Sequence, residues 1–231
     1  MTEFLQSISL FPLVLTFGTY QIGVWCQKKT HSPLCNPLLI ATVLSIAVLL
    51  LTGFDLKIYQ ASSNWITWLL TPATVSLAVP LYTQLKVFKD QLGAICAGVA
   101  AGTIASLCFI GVVCGLWGLD TTLTISLLPK SITTAIGLVL SEQSGGIPAL
   151  TSAAIVITGI LGNLVGSFLC KLLRITDPIA QGVGFGTASH VIGTSRATEL
   201  DALAGAVSSL ALVIAGVLTS ILFPLICNFI L

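Results

Sequence analysis

The chain has 231 residues, of which 55% are hydrophobic and 7% charged, with a net charge of +1 and a mean hydropathy of +1.06. Soluble domains carry about 25% charged residues, so most of this surface has to face lipid. At about 20 residues per crossing the chain holds about seven or eight transmembrane segments and little else, and its near-neutral balance excludes a nucleic-acid partner, which would need a basic face.

The first apolar window covers 4–26 and ends before Lys28 and Lys29. It has no basic n-region and no small-residue cleavage site, so it reads as the start of an uncleaved first span. The second window covers 35–53, and the third covers 62–85 and is interrupted by Pro72 and Pro80. The fourth, 91–118, carries Gly93, Ala94, Ala97, Gly98 and Ala101; the fifth, 121–141, is broken by Pro129. The sixth, 147–170, carries Gly159, Gly162 and Gly166 and ends before Lys171 and Arg174. A short polar-studded segment fills 178–197, and a last span covers 202–230. Residues 1–231 are therefore expected to form one all-α polytopic membrane domain, with broken or re-entrant helices. The small residues allow helices to approach closely, which drives association in lipid, where no hydrophobic effect operates between helices.

Positively charged loops stay cytoplasmic. Lys28 and Lys29, then Lys86 and Lys89, place two loops inside and the N-terminus outside. Strict alternation would put Lys171 and Arg174 outside; a fifth segment that enters and returns would bring them inside. A weak internal repeat points to the same segment, because Leu70–Val79 matches Leu128–Ile136 when Pro72 is laid on Pro129. Duplicated units with Pro-interrupted segments are a common plan of secondary transporters.

Three motifs can carry chemistry. Thr71-Pro72 has the form of a helix start, threonine as cap and proline at the first helical position. Pro129, followed by Lys130 and Ser131, can open a half-helix in the same way. A half-helix starting inside the membrane offers free amides and its positive dipole end to an anion. Thr74, Ser76, Ser131, Thr133 and Thr134 would add hydroxyls, and Lys130 a full charge. The alternative is a proline kink whose hydroxyls bond back to the preceding turn. The third motif is Gly186-Thr-Ala-Ser189-His190-Val-Ile-Gly193-Thr194-Ser-Arg196. Its Gly-Thr pairs lie seven residues apart, two turns and one helix face. Arg196 can grip a carboxylate and His190 can carry a proton. Alternatively His190 is a packing residue, and Arg196 a snorkelling charge paired with Glu199 or Asp201. An Arg or Lys at a helix centre costs roughly 2.5–3.5 kcal/mol on insertion scales, so both cations ask for a reason. Asp120 reads as a helix N-cap, and Glu142 as a solvated loop charge.

No Walker loop, HExxH, GxSxG or dinucleotide fingerprint appears, so neither catalysis nor a cofactor is expected. The seven cysteines are odd in number and contain no CxxC pair, which speaks against a zinc site or a disulfide framework.

Leu70–Tyr82, Leu127–Thr134 with Ser141–Gly146, and Gly186–Ala197 together resemble the LrgB/CidB family of bacterial membrane proteins, YohK-like members included. The chain is also similar to the carboxyl-terminal half of the plastidial glycolate/glycerate translocator. The resemblance spans nearly the whole chain. Ala135 departs from it, standing where the family pattern Lys-Ser-Val-Thr-Thr-Pro has proline. The resemblance implies two activities. One branch is holin-like or antiholin-like, tied to murein hydrolase export and autolysis beside a smaller LrgA- or CidA-type partner. The other exchanges small hydroxy and keto acids.

The residues favour the second. The expected activity is alternating-access transport of a small monocarboxylate (glycolate, glycerate, lactate or pyruvate) across a bacterial inner membrane. Lys130 and Arg196 would hold the carboxylate. The helix ends near Thr71-Pro72 and Pro129, with Thr74, Ser76, Ser131, Thr133, Thr134, Ser189 and Thr194, would hold the rest, and His190 would carry a proton. The lipid bilayer and the carboxylate are the expected partners, and both a small LrgA/CidA-type protein and a homo-oligomer fit this reading.

Overall fold

A computed structural model describes residues 10–30, 37–63 and 85–230, together with positions 66, 68, 69, 72, 75 and 82. The described residues form helices and no strand, and they fall into two compact units, one up to residue 76 and one from residue 77 onward.

The first unit contains α1 (Phe11–Thr30), α2 (Pro37–Thr52) and α3 (Leu56–Ser62). Helix α1 runs four residues past its apolar window and takes in Lys28 and Lys29, whose charges suit the negative end of the helix dipole. A side chain at Gly23 would meet the Pro37 carbonyl oxygen at 2.7 Å, so α1 and α2 touch backbone to backbone there. Hydroxyl pairs join the helices: Thr19 with Ser45 at 3.0 Å, and Thr16 with Tyr59 at 2.8 Å. Such bonds persist between helices in lipid because water does not compete for them.

The second unit comprises α4 (Leu85–Leu116), α5 (Thr121–Leu127), α6 (Thr134–Gln143), α7 (Pro148–Leu172), α8 (Pro178–Leu200) and α9 (Ala202–Ile230). Three of these helices are long and apolar enough to cross a membrane, over Asp90–Leu116, Pro148–Leu172 and Ala202–Asn228. Helix α9 lies at the centre. Its Ala206, Val207, Ala211 and Ala215 pack on Ile95 and Val99 of α4, and lower down its Phe223 and Cys227 meet Leu107, Ile125 and Leu128. Its large side chains Val213, Val217, Ile221 and Leu225 point outward instead. Apart from Val207, Leu212 and Phe223, the inward side is made of small residues and large apolar ones face outward, which is how helices pack where lipid already satisfies the large side chains.

The fifth apolar window is broken, as its proline predicts. Asp120 caps α5 by accepting from the Leu123 amide at 2.7 Å. Seven residues of α5 and ten of α6 span only about 10 and 15 Å, each well short of a bilayer. The chain turns back between them: Gly137 lies against Pro129, while Gly146 lies against Ser126, so contacts run in reverse order along the sequence. The new helix does not open at Pro129, as the motif suggests, but four residues later with Thr133 as N-cap. Ala135 then sits in the first turn of α6, where a proline would also be tolerated, so its departure from the family pattern costs the fold nothing.

The segment 178–197, expected to be short, is a full helix of 23 residues with a break inside it at His190. Glycines bring α8 and α9 into contact: a Cβ on Gly182 would meet the Ala204 carbonyl oxygen at 2.5 Å, whereas one on Gly184 would meet nothing within 4 Å. Gly182→Ala should therefore destabilise the protein by about 1–3 kcal/mol through overpacking against backbone. Gly184→Ala should be neutral or stabilising, by up to ~1 kcal/mol from helix propensity. Thermal unfolding of the two variants in detergent checks the opposite signs.

Candidate functional site

The break in α8 places the site. His190 has φ 44° and ψ −139°, a left-handed backbone carried by a residue with a full side chain. Such a conformation costs of order 1–3 kcal/mol and persists only where its surroundings enforce it. Here they do so on three sides. His190 Nε2–H donates to the Ile155 carbonyl of α7 at 3.0 Å. Thr194 Oγ1 lies 2.9 Å from the His190 carbonyl and 2.8 Å from Ser208 Oγ on α9. Asn163 Nδ2 of α7 donates to the Ile192 carbonyl just past the break, at 3.0 Å.

Glycines of α7 make the room. A Cβ on Gly159 would stand 2.7 Å from His190 Cε1, one on Gly162 would overlap Ser189, and one on Gly166 would press on the Phe185 ring. These glycines, spaced three and four apart, form one face of α7, and that face receives the broken stretch of α8. The break also separates the two Gly-Thr pairs that heptad spacing puts on one face. Gly186 packs on α9 at Ser208 and Ala211, whereas Gly193 folds back onto Ser189 and Phe185 of its own helix.

Lys130 sits in the turn between α5 and α6, half-buried, with its ammonium donating to Ser131 Oγ at 3.1 Å. Among the described residues the one ion pair is Arg196–Glu199 at 2.7 Å, so no carboxylate there neutralises Lys130. The lysine instead lines an open-sided groove of about 550 Å³ between α7 and α8, together with Ser189, Gln181, Leu161, Val165 and Phe185. A second recess of about 320 Å³ adjoins it, sharing Cys170, Ile175 and Gln181 and adding Ser167, Lys171 and Arg174.

The structure thus brings Lys130 and Ser189 to one groove, with His190 buried behind it. It does not bring Arg196 there. That guanidinium pairs with Glu199, and its Nε donates at 2.9 Å to Ser167, a residue of the adjoining recess. Thr194 is buried against α9, Thr133 caps α6 without a side-chain bond, and Thr134 begins that helix. Thr71, Thr74 and Ser76 lie outside the described residues, and with Thr71 so does the cap of the helix start expected at Thr71-Pro72. Sequence reasoning missed Asn163, Ser167 and Ser208. A lone amide in the apolar run of α7 was the readable signal for the first, while the two serines carry none beyond their composition.

A helical, membrane-spanning protein built around a turned-back helix pair and a second broken helix is the class that this fold and site define. The chain belongs to the LrgB-like family, whose model matches residues 16–229. It is 35% identical to the holin-like protein CidB of Staphylococcus epidermidis over 98% of both chains, and 33% identical to that of Staphylococcus aureus over the same share. It is 35% identical to the antiholin-like protein LrgB of Bacillus mycoides over 95% of this chain and 96% of the relative. No solved structure matches it.

The Thr194–Ser208 bond joins α8 to α9 beside the break, so its strength is measurable as a coupling. A double-mutant cycle of Thr194→Val and Ser208→Ala, read by unfolding in detergent, should give about 0.6 kcal/mol, the average for hydrogen bonds between membrane helices, and no more than about 1.7. Additive effects would mean that the two hydroxyls do not support one another.

Proposed function

We propose that this chain passes small monocarboxylates across a bacterial plasma membrane, with Lys130 as the group that receives the carboxylate. One observation carries the reading: a lysine without a carboxylate partner among the described residues, set in a helix turn, faces a groove that runs into a basic recess. An unpaired cation in hydrocarbon is retained where it lines a solute pathway, and a carboxylate is the ion that offsets its charge. Ser189 and Gln181 line the same groove and supply donors and acceptors for a hydroxyl or keto group. Lys171 and Arg174 draw the anion into the recess, and Arg196 with Glu199 forms a breakable ion pair beside it. His190 fastens the break through its Nε2–H bond to the Ile155 carbonyl, and its Nδ1 keeps a lone pair that can take up a coupled proton. With the fifth window turned back, the charge rule puts Lys171 and Arg174 in the cytoplasm.

A second reading has the more direct support of the relatives' names, holin-like and antiholin-like. In it the chain is a non-enzymatic membrane regulator of murein hydrolases and autolysis, acting with a small LrgA/CidA-type partner. Neither name mentions a carboxylate, so transport rests on the geometry alone.

Uptake of labelled pyruvate, lactate and glycolate into proteoliposomes, with and without a pH gradient, separates the two. Saturable uptake should fall about tenfold or more in Lys130→Ala, as expected when a hydrogen bond to a charged group worth ~1.5–3 kcal/mol is lost. Lys130→Arg should retain part of it. Undiminished uptake in Lys130→Ala removes that residue from the site. No uptake by folded, inserted protein, combined with an autolysis phenotype that survives Lys130→Ala in cells, decides for the regulator.

A further inference from the structure

Beneath the turn that carries Lys130 lies a second, much smaller cavity of about 10 Å³. Five hydroxyl-bearing residues line it: Thr103 and Ser106 of α4, Ser131 of the turn, Thr187 of α8 and Thr219 of α9. Four separate elements thus converge on a space the size of one water molecule or one small desolvated ion. Thr103 Oγ1 is buried and has no hydrogen-bond partner, and the residue is only 4% exposed. A buried hydroxyl left unbonded costs about 1–3 kcal/mol, so the position calls for an occupant.

We infer that this cavity is a binding site for a monovalent cation of sodium's size, formed by neutral oxygens. Five hydroxyl-bearing residues around so small a space can offer more oxygens than the roughly three hydrogen bonds a buried water makes, and hard cations take all-oxygen surroundings. Thr187 donates its own proton to the Val183 carbonyl at 2.6 Å, which leaves its oxygen lone pairs for the cavity. Leu128 and Pro129, which follow the last residue of α5, form part of the wall. A helix C-terminus concentrates carbonyl oxygens and partial negative charge, a setting that favours a cation. Gly102 lets α4 come close to α8 beside this cavity, since a Cβ there would stand 2.8 Å from Thr187 Cγ2.

Ser131 joins this cavity to the groove. Its Oγ lies 3.0 Å from Ser106 Oγ on the cavity side and 3.1 Å from Lys130 Nζ on the other. A cation in the cavity and the lysine ammonium therefore repel one another across a single hydroxyl. A carboxylate on Lys130 offsets that repulsion, so the anion raises the affinity for the cation, and the cation raises that for the anion by the same factor. This coupling, unlike the cavity site itself, rests on the carboxylate pathway proposed above.

The test is thermal unfolding of the purified full chain in sodium, potassium or choline chloride at equal ionic strength. Binding to the folded state alone raises the melting temperature in a saturable way. Sodium should give that rise and choline none, Thr103→Val should lose it, and Thr103→Ser should keep it. Should Thr103→Val fail to fold, Ser106→Ala serves in its place and should weaken the response at least several-fold. Equal melting temperatures in all three salts, or a full sodium response in Thr103→Val or Ser106→Ala, overturn the site and leave the cavity to water. Adding pyruvate should lower the half-saturating sodium concentration in the parent chain but not in Lys130→Ala. A sodium response indifferent to pyruvate supports the cation site and counts against the carboxylate pathway.

Discussion

The approach of α7 to α8 is the contact on which the centre of this molecule depends. Gly159, Gly162 and Gly166 remove every side chain that would otherwise hold the two helices apart at Ser189, His190 and Phe185. With that space granted, the Ile155 carbonyl reaches the His190 ring and the Asn163 amide reaches the Ile192 carbonyl, and the unusual backbone at His190 is enforced from outside. In hydrocarbon such bonds are not exchanged with water, so a broken helix survives only where a neighbouring helix comes this close.

Two breaks meet as a result, the turn at 128–133 and the kink at His190. Their meeting gives Lys130 a setting that a straight helix would deny it. Its ammonium lies beside Ser131 and faces a groove whose walls are mostly apolar, Leu161, Val165 and Phe185 among them, with Ser189 and Gln181 as polar exceptions. The α9 helix supplies the rigid floor, burying alanines and serines inward and turning Val213, Val217 and Ile221 to the lipid. Packing of this kind leaves room for polar groups in the middle of the unit without demanding large apolar side chains there.

Membership in the LrgB-like family and the relatives' holin-like and antiholin-like names describe an effect on cells. The groove and the hydroxyl cavity, in the roles proposed for them, would supply a means. A membrane protein that moved a small anion with a cation would alter the medium on both sides of the membrane. The two descriptions are therefore separable by experiment and need not have the same residues behind them.

Composition and hydropathy alone determined the helical, membrane-embedded class, because lipid forbids unpaired backbone groups and leaves the chain few other forms. Pro129 announced its break, Asp120 its cap, and the Gly159–Gly166 spacing a close helix contact. All three are local rules that a neighbour in the sequence suffices to apply. The loop charges also favoured a fifth segment that turns back, but the start of α6 at Thr134 and the kink at His190 were decided by tertiary contacts. A periodicity argument assumes a continuous helix, and a residue forced from outside into left-handed backbone breaks that assumption without any mark in the sequence. The Arg196–Glu199 pair, three residues apart on one helix, was among the alternatives the sequence offered, but the meeting of Lys130 and Ser189 at one groove and the convergence of Thr103, Ser131, Thr187 and Thr219 were not legible. Those residues come from separate elements, and only the packing of α4, α7, α8 and α9 sets the distances between them.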